Sequence, residues 1–196
     1  MSARPQAGRR GQIKAARIRG LVWRDNMKSE DRKAILGVIE KYLWHDEIRE
    51  MKDFVQHGEI STYKHVINVV KLCYIIDKKF GLNADKEVLL TAALLHDFYG
   101  YDWHECKLSE LHGFKHPLIA ADRAKKVFGV SEHVQDAIRS HMWPFTLLHV
   151  PRSKEAWILC AADKLASMSE TLWMRGDKKK CCCNCKCGCK GTDDVD

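Results

Sequence analysis

Proline is nearly missing from this chain, four residues in 196, and glycine numbers only twelve. With so few breakers and little alternation of β-branched residues, an all-β architecture is excluded and helices are expected. No apolar run approaches the roughly eighteen residues needed to cross a bilayer, so no membrane partner is expected. The N-terminus lacks the apolar segment and small-residue cleavage site of a signal peptide. Acidic side chains are missing until Asp25, whereas Arg4, Arg9, Arg10, Lys14, Arg17, Arg19 and Arg24 come before it. Residues 1–28 therefore read as a basic flexible arm. Contact with nucleic acid is open to such an arm, although it has few aromatic groups on which bases could stack.

A disulfide framework is lacking too. Of nine cysteines, Cys73, Cys106 and Cys160 stand singly and the other six crowd between Cys181 and Cys189. Bridges that staple a fold are spread through it, so the body of the chain reads as reduced and cytoplasmic. The stretch CCCNCKCGC has no zinc-finger spacing. Residues 174–196 form a cysteine-rich tail that can clasp soft ions such as Zn or Cu(I), or that is a dispensable extension.

What remains is an ordinary globular composition, 45% hydrophobic and 30% charged, with a formal net charge of +7. Its length suits one domain. Helical spacing predicts helices from Ser29 to about Trp44 and from His45 to Gln56. A third, capped by Ser61 or Thr62, carries Val66, Val69, Val70, Cys73, Ile76 and Phe80, and Gly81 ends it. The next is capped by Asn83 and runs through VLLTAALLHD, Val88–Asp97. A loop is expected over Tyr99–His116, then a helix opened by His116–Pro117. Another follows Ser131, with Val134, Ala137, Ile138 and His141 on one face. The last spans about Arg152 to Leu172 and sets Asp163 among Ala156, Leu159, Cys160 and Ala166. The reading is all-α, with a helical domain over 29–173.

Six polar residues stand where packing alone would not put them: His65, His96, Asp97, His116, His141 and Asp163. A carboxylate in an apolar stripe needs a partner, or its desolvation is expensive. Taken singly, each has an ordinary explanation: a histidine hydrogen-bonded in the core, an aspartate paired with a lysine or arginine. A shared metal centre accounts for all six together, and the residues alone leave both accounts open. Imidazole and carboxylate donors suit divalent Fe, Mn, Zn, Co or Ni. In the two-ion arrangement, His65, His96, Asp97 and Asp163 surround one ion and His116 and His141 the other. Asp97 bridges them, and a metal-bridging hydroxide attacks phosphorus.

The order H…HD…H…H…D, with the local text LLHDFYGYDWH, LHGFKHP, HMWPF and ADKLAS, resembles the HD-domain metal-dependent phosphohydrolase superfamily, and a bacterial subgroup of it. The resemblance runs from about Thr62 to Leu172. It implies an HD-type helical bundle hydrolysing phosphomonoesters, phosphodiesters or nucleotide phosphates. The two extra histidines resemble the dinuclear branch, which includes cyclic dinucleotide phosphodiesterases and dinucleoside polyphosphate hydrolases. The GYP motif of the cyclic-di-GMP enzymes is missing, as are the extra motifs of the (p)ppGpp hydrolases.

The expected activity is therefore metal-dependent hydrolysis of a small phosphorylated molecule, nucleotide-like, with two divalent ions, Fe or Mn favoured. Asp97, His104 and Lys164 are the candidate catalytic side chains. His104 would protonate the leaving group or hold phosphate, and Lys164 would neutralise phosphate charge. Lys107, His112 and Lys115 are further loop candidates, and Trp103, Trp143 and Phe145 candidate walls. The alternative is a catalytically silent regulatory protein that senses nucleotide or metal through the same fold.

Overall fold

The structure, a computed structural model, describes residues 27–57, 60–100 and 109–184, and their side chains except those of 57, 109–112 and 172–184. Seven helices and one small hairpin are formed among them: α1 (Ser29–Ile39), α2 (Asp46–Glu50), β1 (Val55–His57), β2 (Ile60–Ser61), α3 (Thr62–Phe80), α4 (Lys86–Leu95), α5 (Ser109–Phe128), α6 (Glu132–Ser140) and α7 (Lys154–Asn184). The protein is all-α, as its scarcity of chain breakers predicts. None of the described helices is long and apolar enough to cross a membrane.

Helix α4 is the hub. Every residue from Leu89 to Leu95 is buried, because α1, α3, α5, α6 and α7 all pack around it. A helix enclosed on all sides has no polar face to keep. Each buried leucine there contributes about 1.5–3 kcal/mol. Asp85 starts this helix, its side chain accepting from the backbone N–H groups of Glu87 and Val88. The expected cap, Asn83, instead adopts a left-handed conformation at φ 52°, a conformation asparagine tolerates better than most residues.

Serine caps start two further helices as expected. Ser61 accepts from Lys64 N at the head of α3, and Ser131 accepts from Val134 N at the head of α6. Gly81, at φ 60°, closes α3 in the left-handed cap that glycine favours.

Several stretches depart from the periodicity, the first being residues 40–44, which form turns after α1 rather than continuing it to Trp44. Val55 and Gln56, expected at the end of a helix, lie in β1, paired antiparallel with β2. Val55 faces Ser61 and His57 faces Ile60, which makes Gln56 the extra residue of a bulge. Bulges re-aim side chains. Helix α5 begins at Ser109, well before Pro117, which sits inside it. The proline removes one donor but leaves the helix intact, and the carbonyl its ring crowds belongs to Gly113, four residues back. Finally, α7 runs through the expected tail boundary at 174 to Asn184; the lysines there are good helix formers.

Candidate metal centre

Five helices each deliver one end of the cluster. Ser61 caps α3 so that His65 lies in its second turn, fully buried beside Val66, Val69 and Val70. Helix α4 stops at Leu95, with His96 as its C-cap, and the chain turns immediately. The turn sends His96 and the adjacent Asp97 to the same place, which a continuing helix would not do. His116 comes from α5, His141 is the C-cap of α6, and Asp163 projects from α7 between Leu159 and Ala166. All six side chains are buried.

Asp97 stands between two groups of imidazoles. Its Oδ1 lies 3.4 Å from His116 Nε2 and 3.9 Å from His141 Nε2. Its Oδ2 lies 3.4 Å from His96 Nε2 and 3.8 Å from His65 Nε2. Asp163 Oδ1 is 3.2 Å from His65 Nε2 and 3.6 Å from His96 Nε2. The Nε2 atoms of His116 and His141 face each other at 3.1 Å.

The outward nitrogens of His65, His96 and His141 are tied to protein. His65 Nδ1 donates to Glu170 Oε2 at 2.9 Å, His96 Nδ1 to the Ala93 carbonyl at 2.9 Å, and His141 Nδ1 to the Ile138 carbonyl at 2.7 Å. Such bonds fix the ring and aim Nε2 inward. His96 Nε2 is buried with the Asp97 and Asp163 carboxylates 3.4 and 3.6 Å away, but it makes no close, well-aligned hydrogen bond. A nitrogen left so is costly unless an occupant satisfies it, and a divalent cation fits this donor set. Two overlapping groups, His65–His96–Asp163 and His96–Asp97–His141, each keep their candidate donor atoms within 4.8 Å of one another. His96 belongs to both, whereas the sequence assigned it to one ion alone.

Electrostatics divides the cluster into two poles. Burial disfavours the imidazolium at His65, but Asp163, Glu170 and Asp97 outweigh it and raise its pKa to about 10. Burial likewise opposes the charge on His96, and Asp97 and Asp163 raise it nonetheless. At His141 burial acts together with His96 and His116, and the pKa falls to about 3. Burial would lift both carboxyls, yet the histidines hold Asp97 below its ordinary value and Asp163 well below it. One pole thus favours positive charge, and the other presents a neutral imidazole with its lone pair available.

Several groups at the site were not foreseen. Gln56 Nε2 donates to Asp97 Oδ2 at 2.6 Å, while its Oε1 accepts from Tyr99 Oη at 2.7 Å and Thr62 Oγ1 at 3.2 Å. No sequence signal marked Gln56, because the bulge that aims it forms only on pairing with β2. Glu170 did carry one: it stands seven residues after Asp163 and so shares its helical face.

Lys164 directs its ammonium to the His141 carbonyl at 3.0 Å, the Cys160 carbonyl at 3.4 Å and Cys160 Sγ at 3.2 Å. It ties the end of α6 to α7. Trp143 packs edge-on against Trp157, and Phe145 stacks on Phe114 at 4.4 Å. Lys115 is exposed. His104, Trp103, Lys107 and the side chain of His112 lie outside the described residues, as do arm residues 1–26 and the cysteine side chains of the tail.

Residues 62–168, more than half of the chain, match the family model described as the HD domain. No curated protein and no solved structure matches the chain.

Proposed function

We propose that this chain, which belongs to the HD-domain family, hydrolyses a phosphate ester of a small, nucleotide-like molecule at the buried histidine–aspartate cluster. The family is typically one of divalent-metal-dependent phosphohydrolases. One observation carries the finer reading. Asp97 turns one carboxylate oxygen to His65 and His96 and the other to His116 and His141. A carboxylate so placed suits two cations, one on either side.

In this reading His65, His96, Asp97 and Asp163 would hold one ion and His116, His141 and Asp97 the other, with His96 also within reach of the second. Divalent ions supply Lewis acidity toward phosphoryl oxygens and lower the pKa of water. The protein's own groups do the rest. Glu170 and the Ala93 and Ile138 carbonyls hold three imidazoles by Nδ1, so the rings need not reorganise during turnover. Gln56, braced by Tyr99 and Thr62, holds Asp97 in place. Leu94, Leu95, Phe98 and Ile138, within three residues of these ligands along the chain, are fully buried. Phe114, two residues before His116, and Phe145, four after His141, form a stacked pair about half exposed, 47% and 53%. Such a surface suits a planar base and supports the nucleotide-like substrate.

The test is turnover by the Mn- and Fe-loaded protein across dinucleoside polyphosphates, nucleoside monophosphates, cyclic dinucleotides and a generic aryl phosphate. Hydrolysis of a nucleotide class in preference to the aryl phosphate is expected. Metal-loaded protein that cleaves none of the four would overturn the proposal.

A further inference from the structure

The HD match ends at residue 168, yet one side chain reaching the cluster comes from beyond it. Glu170 is 5% exposed. Its Oε2 accepts from His65 Nδ1 at 2.9 Å, and its Oε1 accepts from Asn68 Nδ2 at 2.8 Å. Both carboxylate oxygens are thereby committed to α3, across 105 and 102 residues of sequence. The pairing follows from helical geometry. Asn68 is about one turn after His65, and Glu170 about two turns after Asp163, so the facing stripes of α3 and α7 meet as two rows. His65 lies between the rows, with Asp163 at Nε2 and Glu170 at Nδ1.

We infer that Glu170 is a positioning residue for the metal centre: it pins the ring of His65 so that Nε2, beside Asp163, is presented to the ion. This rests on the reading that the cluster holds divalent cations. A carboxylate behind a ligating imidazole fixes which nitrogen carries the hydrogen, stops rotation of the ring and strengthens the opposite nitrogen as a donor. Asn68 in turn prevents the carboxylate from swinging away. An ordinary helix-to-helix tie would use the same hydrogen bonds, but it would support the unfolding midpoint and leave metal affinity untouched. The two roles part at that measurement.

The experiment titrates full-length protein, first stripped with chelator, with Mn(II) and follows free Mn(II) by electron paramagnetic resonance. Glu170→Gln keeps the shape and removes the charge; Asn68→Ala leaves Glu170 present but unbraced. Unfolding midpoints of the stripped proteins are recorded beside the titrations. Glu170→Gln is expected to weaken Mn(II) binding by about ten- to a hundredfold, and Asn68→Ala by a smaller factor in the same direction. Binding within about twofold of the parent in both variants overturns the inference, whatever their midpoints. Should Glu170→Gln fail to fold, Asn68→Ala decides alone by the same criterion. A parent chain that binds no Mn(II) would remove the metal reading itself. Equal binding by parent and variants removes only the role of Glu170.

Discussion

Replacing Gln56 with leucine tests whether the hairpin bulge holds the central carboxylate. The substitution keeps most of the side-chain volume and deletes both polar ends. The bond lost, Gln56 Nε2 to Asp97 Oδ2, is 2.6 Å long and reaches a carboxylate that is 3% exposed. Hydrogen bonds to charged groups contribute about 1.5–3 kcal/mol net. Gln56 is only half-buried, and water can partly replace it, which points to the lower half of that range. The hydroxyls that lose Gln56 Oε1 keep other contacts. Thr62 Oγ1 also reaches the Phe54 carbonyl at 3.3 Å, and Tyr99 Oη lies 3.4 Å from Thr62 Oγ1. Their added cost is small. The expected loss is therefore about 2 kcal/mol, a fall in Tm of about 4–8 °C for a chain of this size. Thermal and urea unfolding of chelator-treated protein, followed by far-ultraviolet circular dichroism, measures it. Gln56→Glu should cost more, because a carboxylate would face Asp97 directly, and added Mn(II) should recover part of that loss. Leucine at 56 within about 0.5 kcal/mol of the parent would show that Asp97 does not depend on this contact.

Three further outcomes follow from the same geometry. Asp97→Ala should lower turnover by about a hundredfold or more while helical circular dichroism is retained, because the carboxylate facing both histidine pairs is lost; turnover equal to the parent would remove the mechanism. Phe98→Ala should destabilise the protein by about 3–5 kcal/mol in urea unfolding, since the ring is fully buried, lies under the Arg123 guanidinium at 4.4 Å and packs on Phe128 at 5.3 Å. Gly100→Ala should cost about 2 kcal/mol by the same assay, because φ is +77° and the new methyl group would displace the Arg123 side chain from its place over Phe98.

Helix-forming stretches were legible wherever burial was one-sided and caps were local. Ser61, Ser131 and Gly81 act within their own turn of chain, so their roles could be read without knowing the fold. Periodicity misled where a distant partner overrode it. Val55 and Gln56 fit a helical stripe until β2 pairs with them. Pro117 reads as a helix start, yet α5 passes through it from Ser109.

Residue types and their order along the chain determined the all-α class and the six polar positions that packing alone does not explain, because desolvating an ionisable group without a partner is costly. Convergence belonged to the tertiary structure. Only the packing of α3, α5, α6 and α7 around α4 decided which oxygen of Asp97 faces which histidine, that His96 stands in both groups, and that Lys164 turns toward the end of α6. Gln56 and Glu170 entered the cluster in the same way, across 41 and 105 residues. A side chain's burial leaves its mark on local pattern, but the partner it meets is set by where other helices come to rest.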